Sequence, residues 1–320
     1  MRAWAALLAA VLVGAVLVGC DDDGAEPGAS QEATLVLDFQ PNAVHAGIYA
    51  AQRRGYYAAE GLDLTIREPS SSSDAPKLLE AGRADLAVMD INDFGIALER
   101  GLDLRPIAAV VQRPLAAVIA GDRDDVRRPR DLEGGTVGVT GLPSDDAVLD
   151  AVLEADGADP SLVDRVTIGF DSVAALSAGR VDAATAFWNA EGVTLRRLGV
   201  PTREFRVDDY GAKPYPELLV VTRGATAADS ATKGFRSALE RAYGELVRDP
   251  DTALADLLAE VPSLNPDEQQ AQFDALNAAR AFGEGNVELI GLLDWLQFAS
   301  EHGIVDASTI RRDLRAGLRG

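Results

Sequence analysis

The stretch LEAGRADLA at residues 79–87 returns later in the chain as LSAGRVDAA at residues 176–184. In each copy a helix ends at a glycine, Gly82 or Gly179, that can adopt a left-handed backbone. An aspartate then leads directly into a short apolar strand. Because the same construction appears once in each half, the repeat predicts two similar α/β lobes rather than one continuous sheet.

Short apolar runs alternate with helical patterns on both sides of the first copy, which is typical of βα units. The predicted strands are Leu35–Leu37, Leu62–Ile66, Leu86–Met89, Thr136–Thr140 and Ala183–Ala186, and the predicted helices between them are Asn42–Arg54, Asp74–Ala81, Asn92–Arg100 and Asp145–Ala155. Four amphipathic helices follow, at Lys233–Arg248, Asp251–Ala259, Asp267–Ala281 and Gly291–His302. Ligands of open α/β sheets bind beyond the carboxyl ends of the strands, so we expect a cleft between the lobes.

Two apolar segments, Pro114–Ala120 and Glu217–Thr222, lie near prolines and are predicted to be the hinge strands that join the lobes. They divide the chain into a first lobe, residues 34–117 and 218–320, and a second lobe, residues 118–217. The predicted fold class is therefore α/β, with two lobes, two hinge strands and a cleft between them.

Composition restricts the class of protein. The chain has 320 residues, 47% of them hydrophobic, with 51 Asp and Glu against 30 Lys and Arg, and a formal charge of −21. These values indicate a globular protein. The phosphate backbone of DNA or RNA would repel a protein this acidic, so nucleic acid binding is excluded.

The amino terminus has the three parts of an export signal: Arg2, an apolar run from Ala3 to Val18, and small residues before a break. The chain's single cysteine, Cys20, stands between that run and an acidic segment, and this arrangement resembles a bacterial lipobox. We expect cleavage after residue 19, a lipid on Cys20 and a flexible tether over residues 20–33. An uncleaved membrane anchor is the alternative. A lipidated Cys20 leaves no free thiol for disulfide, metal or nucleophile chemistry.

Four phrases carry a family resemblance: LDFQPNAVHAGIYAA at residues 37–51, GYY at 55–57, EGLD at 60–63 and FWNAEGV at 187–193. They resemble the thiamine-pyrimidine-precursor (NMT1/THI5-like) family, which includes substrate-binding lipoproteins of ABC importers and fungal enzymes that make the pyrimidine. GYY and EGLD are shared with nitrate, sulfonate and taurine binders, whereas the other two segments are more specific to this family. The resemblance covers nearly all of residues 34–310 and implies a type II periplasmic binding protein.

Resemblance to the enzyme branch of this family implies a single-turnover synthase. Such an enzyme consumes its own histidine and pyridoxal phosphate, uses iron and carries a cysteine-rich run. This chain has the sequence KPYPEL at residues 213–218 in the place of that run, without cysteine. The nearest lysine to His45 in sequence is Lys77. Binding is therefore the prediction, with no catalytic residue and no cofactor, and the synthase is the alternative from another class.

His45 begins the first helix after the loop from Asp38 to Asn42, so its neutral imidazole is placed either to contact a heterocycle or to make a structural hydrogen bond. Asn42 either contacts ligand or caps the helix. Trp188 follows the second repeated strand, where its ring either stacks on a planar ligand or fills the lobe core. Glu191 either meets an exocyclic amine or serves as a cap or exposed acid.

The same positions suggest further, weaker contacts. Asn189 lies between Trp188 and Glu191, and Asp90 ends the first repeated strand. The predicted ligand-binding residues are thus Asp38, Phe39, Asn42, His45, Asp90, Thr140, Gly141, Ser144, Trp188, Asn189, Glu191 and Tyr215. No spacing typical of a metal site, a P-loop or a nucleophile elbow occurs in the sequence.

These features predict a monomeric lipoprotein on the outer face of the cytoplasmic membrane. It captures a small planar heterocycle, an aminopyrimidine precursor of thiamine, and delivers it to an ABC permease and its ATPase. Riboflavin and small sulfonate- or nitrate-type anions are the alternative ligands. Anions are disfavoured because the predicted site is aromatic and acidic.

Overall fold

The computed structural model describes residues 30–310 except residues 72, 124 and 309. Its helices are α1 Ala46–Arg53, α2 Tyr56–Ala59, α3 Asp74–Glu80, α4 Ile91–Glu99, α5 Pro143–Ala155, α6 Ser172–Ser177, α7 Glu191–Arg197, α8 Ser230–Arg248, α9 Pro250–Glu260, α10 Pro266–Ala278 and α11 Leu289–Glu301. Its strands are β1 Gln31–Val36, β2 Leu62–Arg67, β3 Leu86–Asp90, β4 Leu104–Val111, β5 Ala116–Gly121, β6 Thr136–Val139, β7 Asp164–Thr167, β8 Ala183–Phe187, β9 Thr202–Arg206 and β10 Leu218–Arg223. The elements predicted from the sequence lie within a few residues of these bounds.

The strands form two sheets of the same design. The first sheet has the order β2-β1-β3-β10-β4, and the second has the order β7-β6-β8-β5-β9. In each, the first three strands are parallel, and the fourth, β10 or β5, is antiparallel to both its neighbours. The repeated stretch thus supplies the central parallel strand of each sheet, β3 or β8.

The repeat is also a repeat of hydrogen bonds. The glycine that ends each helix has a φ of +64° in the first copy and +62° in the second, a region that favours glycine. In the first copy Asp85 Oδ2 accepts the backbone N–H of Thr34 at 2.9 Å, and in the second Asp182 Oδ2 accepts that of Thr136 at 2.9 Å. The predicted duplication is therefore confirmed, with the aspartate holding the neighbouring parallel strand in register.

The chain passes from the first sheet to the second over residues 112–115 and returns over residues 207–217. Both passages meet at Glu217, which is buried. Its Oε2 accepts the backbone N–H of Leu115 at 2.5 Å and that of Ala116 at 3.3 Å. One carboxylate therefore ties the two links between the lobes together.

The first strand begins earlier than the sequence suggested. Gln31 donates its N–H to Gly61 O at 2.8 Å, and residues 31–33 pair with β2. Extending the tether to residue 33 was therefore wrong, because these residues are held by backbone hydrogen bonds. Cys20 and the predicted signal lie outside the described residues, and the predicted lobe limits stay a prediction.

Two carboxyl-terminal helices complete the core of the first lobe. The ring of Tyr243, on α8, lies where a side chain on Gly47 would stand, 2.5 Å from the ideal Cβ position. On α11 the ring of Trp295 lies over Gly95 in the same way, and its Nε1 donates to Asn92 Oδ1 at 2.7 Å. Glycine at these two positions lets the helices approach closely.

Candidate ligand-binding site

A cavity lies between the two sheets, at the carboxyl ends of β3 and β8. It offers about 120 Å³ to the centres of water-sized molecules. A single water occupies roughly 10–15 Å³ as a whole sphere. Because the 120 Å³ counts positions of the centres alone, the cavity holds a small organic molecule and not merely a water.

Most of the predicted site residues line this cavity. They are Asp38, Phe39, Asn42, Asp90, Thr140, Ser144, Asn189 and Glu191. Loops after β1, β6 and β8 carry five of them, Ser144 and Glu191 lie in the first turns of α5 and α7, and Asp90 is the last residue of β3. His45, Gly141, Trp188 and Tyr215 are not among the lining residues.

His45 lies behind the cavity wall and is wholly buried. Its Nδ1 accepts the backbone N–H of Asn42 at 3.2 Å, so the proton of the neutral ring is on Nε2, which donates to Asp38 Oδ1 at 2.9 Å. The expected direct ligand contact is replaced by a hydrogen bond that fixes the carboxylate of Asp38. Asn42 caps the same turn, since its Oδ1 accepts the N–H of Val44 at 3.0 Å, and it also lines the cavity.

Trp188 points away from the cavity, so the structure does not place it to stack on a ligand. Its side chain is 2% exposed, and its Nε1 donates to the carbonyl oxygen of Pro114 at 3.0 Å. The guanidinium of Arg206 lies 4.3 Å from the ring centroid. The turn after β8 sends Phe187 and Asn189 to the cavity and the residue between them to the link at residues 112–115.

Tyr215 and Gly141 also have structural roles in place of the expected contacts. Tyr215 is buried, with its ring 6.2 Å from that of Phe298 on α11. Gly141 has a φ of +95°, and an ideal Cβ there would lie 2.8 Å from Thr167 Cγ2. The tight turn between β6 and α5 therefore requires this glycine.

Aromatic rings form part of the wall. The rings of Phe39, after β1, and Phe170, after β7, meet edge to face with their centroids 4.7 Å apart and their planes at 90°. Phe187 lines the same space from the end of β8. Since Phe39 and Phe170 follow strands of different sheets, their contact spans the cleft. Phe170 and Phe187 were not among the predicted ligand contacts.

Five carboxyl groups line the cavity, and no Lys, Arg or His does so in the described part of the chain. They are Asp38, Asp90, Asp93, Asp145 and Glu191. Asp93 and Asp145 were not among the predicted ligand-binding residues. Among the residues that the structure describes, no three acidic, His or Cys side chains are placed to hold a metal ion.

Burial raises the pKa of most of these carboxyl groups. Removal from water, with the charges of Asp145 and Asp38 nearby, raises the pKa of Glu191 to about 7. Burial raises the pKa of Asp145, and it raises those of Asp90 and Asp93 well above the ordinary value, where Glu217 adds its charge on Asp90. Burial thus favours the neutral form of these carboxyl groups, unless a positive ligand group stabilises the ionised form.

We predict that the ligand-free protein loses stability as the pH rises from about 5 to about 7.5. Below an ordinary pKa of 4.5, Glu191 is protonated in both folded and unfolded chains. Between 4.5 and about 7 only the unfolded chain ionises it, so unfolding is favoured as the pH rises through this range. The shift corresponds to up to about 3 kcal/mol. Urea denaturation at several pH values measures it.

The variant Glu191→Gln should flatten that pH profile, because its side chain does not titrate. Glu284→Gln is the matched control, since Glu284 is exposed and outside the cavity. An unchanged slope in Glu191→Gln would show that Glu191 is ionised in the folded protein at pH 5.

Comparisons with known proteins agree with this geometry. A family model described as "NMT1/THI5 like" matches residues 42–253. The formylaminopyrimidine-binding protein of Halalkalibacterium halodurans is 33% identical over 263 residues, 81% of this chain and 79% of that protein. The 4-amino-5-hydroxymethyl-2-methylpyrimidine phosphate synthase THI5 of Saccharomyces cerevisiae is 24% identical over 256 residues, 75% of this chain and 74% of that protein.

Solved structures share the fold. The alkanesulfonate-binding protein SsuA of Xanthomonas axonopodis pv. citri superposes with a TM-score of 0.66 at 16% identity, covering 86% of this chain and 94% of that chain. Likeness at this identity concerns the fold alone. The predicted fold class, two α/β lobes of the periplasmic binding protein type, is confirmed.

Proposed function

The chain belongs to the NMT1/THI5-like family, and from this premise we propose that it binds an aminopyrimidine precursor of thiamine in the cavity between its lobes. Delivery of that ligand to an ABC permease and its ATPase is part of the proposal. The relative from Halalkalibacterium halodurans is named for binding a formylaminopyrimidine. Proteins of this fold bind small ligands and work with such permeases.

The observation that carries the proposal is the charge of the cavity lining. Five carboxyl groups face the space, and no cationic side chain does so within the described residues. Carboxyl groups accept hydrogen bonds from amines, and such bonds are stronger when one partner is charged. An amine-bearing ring is thus favoured, whereas a sulfonate or nitrate finds no cationic partner among the described lining residues.

Size and shape support a single ring. A cavity with about 120 Å³ for the centres of water-sized molecules accommodates a substituted pyrimidine ring. Phe39, Phe170 and Phe187 supply aromatic surface for a flat ligand. Both sheets contribute lining residues, so a ligand that touches both favours the closed arrangement of the lobes.

A synthase reaction fits the residues less well. Among the described residues no lysine lines the cavity to form a Schiff base with pyridoxal phosphate, and Lys77 Nζ donates to Ser73 Oγ at 2.7 Å on the surface. The described lining also offers no cationic side chain to the phosphate of that cofactor. The lining therefore does not fit the cofactor that the synthase resemblance implies, and we propose a binding protein without catalysis.

We propose that the chain is lipid-anchored through Cys20 outside the cytoplasmic membrane and acts as a monomer. The support is the sequence of residues 1–23, in which an apolar run ends at the single cysteine and an acidic segment follows. Within the described residues no helix has the length and apolar character needed to span a bilayer.

We predict that 4-amino-5-hydroxymethyl-2-methylpyrimidine, or its aminomethyl counterpart, stabilises the protein against unfolding by about 2.7 kcal/mol at a hundred times Kd. A thermal-shift series measures this effect, with riboflavin and an alkanesulfonate as the matched comparison ligands. Native mass spectrometry of protein purified without refolding identifies any retained molecule. If pyrimidines leave the melting temperature unchanged while a flavin or a sulfonate raises it, the proposed ligand class is wrong.

A further inference from the structure

Two buried polar side chains of the cavity wall have no hydrogen-bond partner. Asn189 is wholly buried, and neither its Nδ2 nor its Oδ1 is paired. The Oγ of Ser172, buried on the same wall, is also unpaired. Buried polar groups in folded proteins are nearly always paired, because an unpaired one retains its full desolvation cost. The missing partners are therefore expected to come from whatever fills the cavity.

The turn that carries Asn189 is held on both sides. Its neighbour Trp188 donates its N–H to Leu115 O at 3.1 Å, and Ala190 donates to Phe187 O at 3.3 Å. Glu191 Oε2 accepts the N–H of Phe187 at 3.1 Å. The backbone around Asn189 is thus hydrogen-bonded, whereas its own carboxamide, on a residue that lines the cavity, is not.

A carboxamide offers one donor and one acceptor side by side. A 4-aminopyrimidine presents the complementary pair on one edge: a ring nitrogen that accepts and an adjacent amine that donates. Side-chain amides make an analogous pair of hydrogen bonds to the exocyclic amine and the neighbouring ring nitrogen N7 of adenine. Among the described lining residues, Asn189 alone has a separate donor atom and acceptor atom that are both unpaired.

We propose that Asn189 is the residue that recognises this edge: Nδ2 donates to the ring nitrogen, and Oδ1 accepts from the exocyclic amine. This inference rests on the proposed function and adds a specificity-determining residue to it. The second N–H of that amine is then left for a carboxyl group of the lining, such as Glu191.

The test compares two ligands that differ only in the 4-amino group, a 4-aminopyrimidine and its counterpart with hydrogen at that position. We expect the native chain to bind the amino compound about 10- to 100-fold more tightly, because losing it leaves a buried acceptor unpaired. In Asn189→Leu, which keeps the size but removes both polar atoms, the ratio should fall to near one. Isothermal titration calorimetry measures all four affinities.

Asn189→Ala is the second variant, since it adds no atoms and is safe if leucine disturbs folding. Asn277→Leu is the control, because Asn277 is exposed on α10 away from the cavity. If both Asn189 variants bind pyrimidines and keep the native preference, water satisfies the amide and the inference is overturned while the proposed function stands. If the native chain binds no pyrimidine, both fall.

Discussion

Replacing Trp188 with alanine is expected to lower the free energy of unfolding by about 3–5 kcal/mol, as truncation of a large buried aromatic side chain does. The ring is 2% exposed and lies against the link at residues 112–115, where its Nε1 is bonded to Pro114 O. The substitution removes this packing, the hydrogen bond and the contact with Arg206. Urea denaturation of the ligand-free protein measures the loss.

Trp188→Phe is the matched variant. It keeps most of the apolar ring and loses the N–H, so we expect it to cost about 1–2 kcal/mol and to leave pyrimidine affinity within about threefold. If Trp188→Ala is as stable as the native chain but fails to bind pyrimidine, the ring contacts the ligand after all.

Glu191→Gln is expected to weaken binding of an amine-bearing pyrimidine by about 1.5–3 kcal/mol, the usual contribution of a hydrogen bond to a charged group. One oxygen of Glu191 is held by the N–H of Phe187, which leaves the other for the ligand amine. Glutamine keeps the size of the side chain but not its charge. Calorimetry at pH 7.5 measures the affinities.

Glu284→Gln again serves as the control, since Glu284 is exposed and lies outside the cavity. Full affinity in Glu191→Gln would mean that the carboxylate of Glu191 does not meet the ligand amine. In that case Asp93 or Asp145 would be the next carboxyl groups to substitute.

Much of the fold could be predicted because local physics governs it. The repeat placed β3 and β8 correctly, since a left-handed glycine followed by an aspartate and an apolar strand uses only short-range rules. β4, β7 and β9 were missed. β7, Asp164–Thr167, is fully exposed and β9 is polar, so neither shows the apolar pattern of a central strand. Their pairing depends on neighbours that are distant in sequence.

The sequence predicted where the site lies but not which side chains of each turn face the cavity. The carboxyl ends of the repeated strands gave Asp90, Asn189 and Glu191, all of which line the cavity. Which residue of a turn faces inward depends on its tertiary contacts, and Trp188 is bound to Pro114 from the other side. Ser172 is the first residue of α6, and α6 corresponds in the repeat to α3, which begins beside the Ser-rich loop.

The late position of β10 in the chain affects the order in which the two lobes fold during synthesis. Among the described strands β10 alone pairs with β4, so residues 104–111 have no strand partner until residues 218–223 have been synthesised. The second sheet needs only residues 116–206 and has all its strands earlier. Because distant pairings are slow to close, we expect the second lobe to form first. A nascent chain stopped before residue 218 would carry an open strand edge, which invites aggregation.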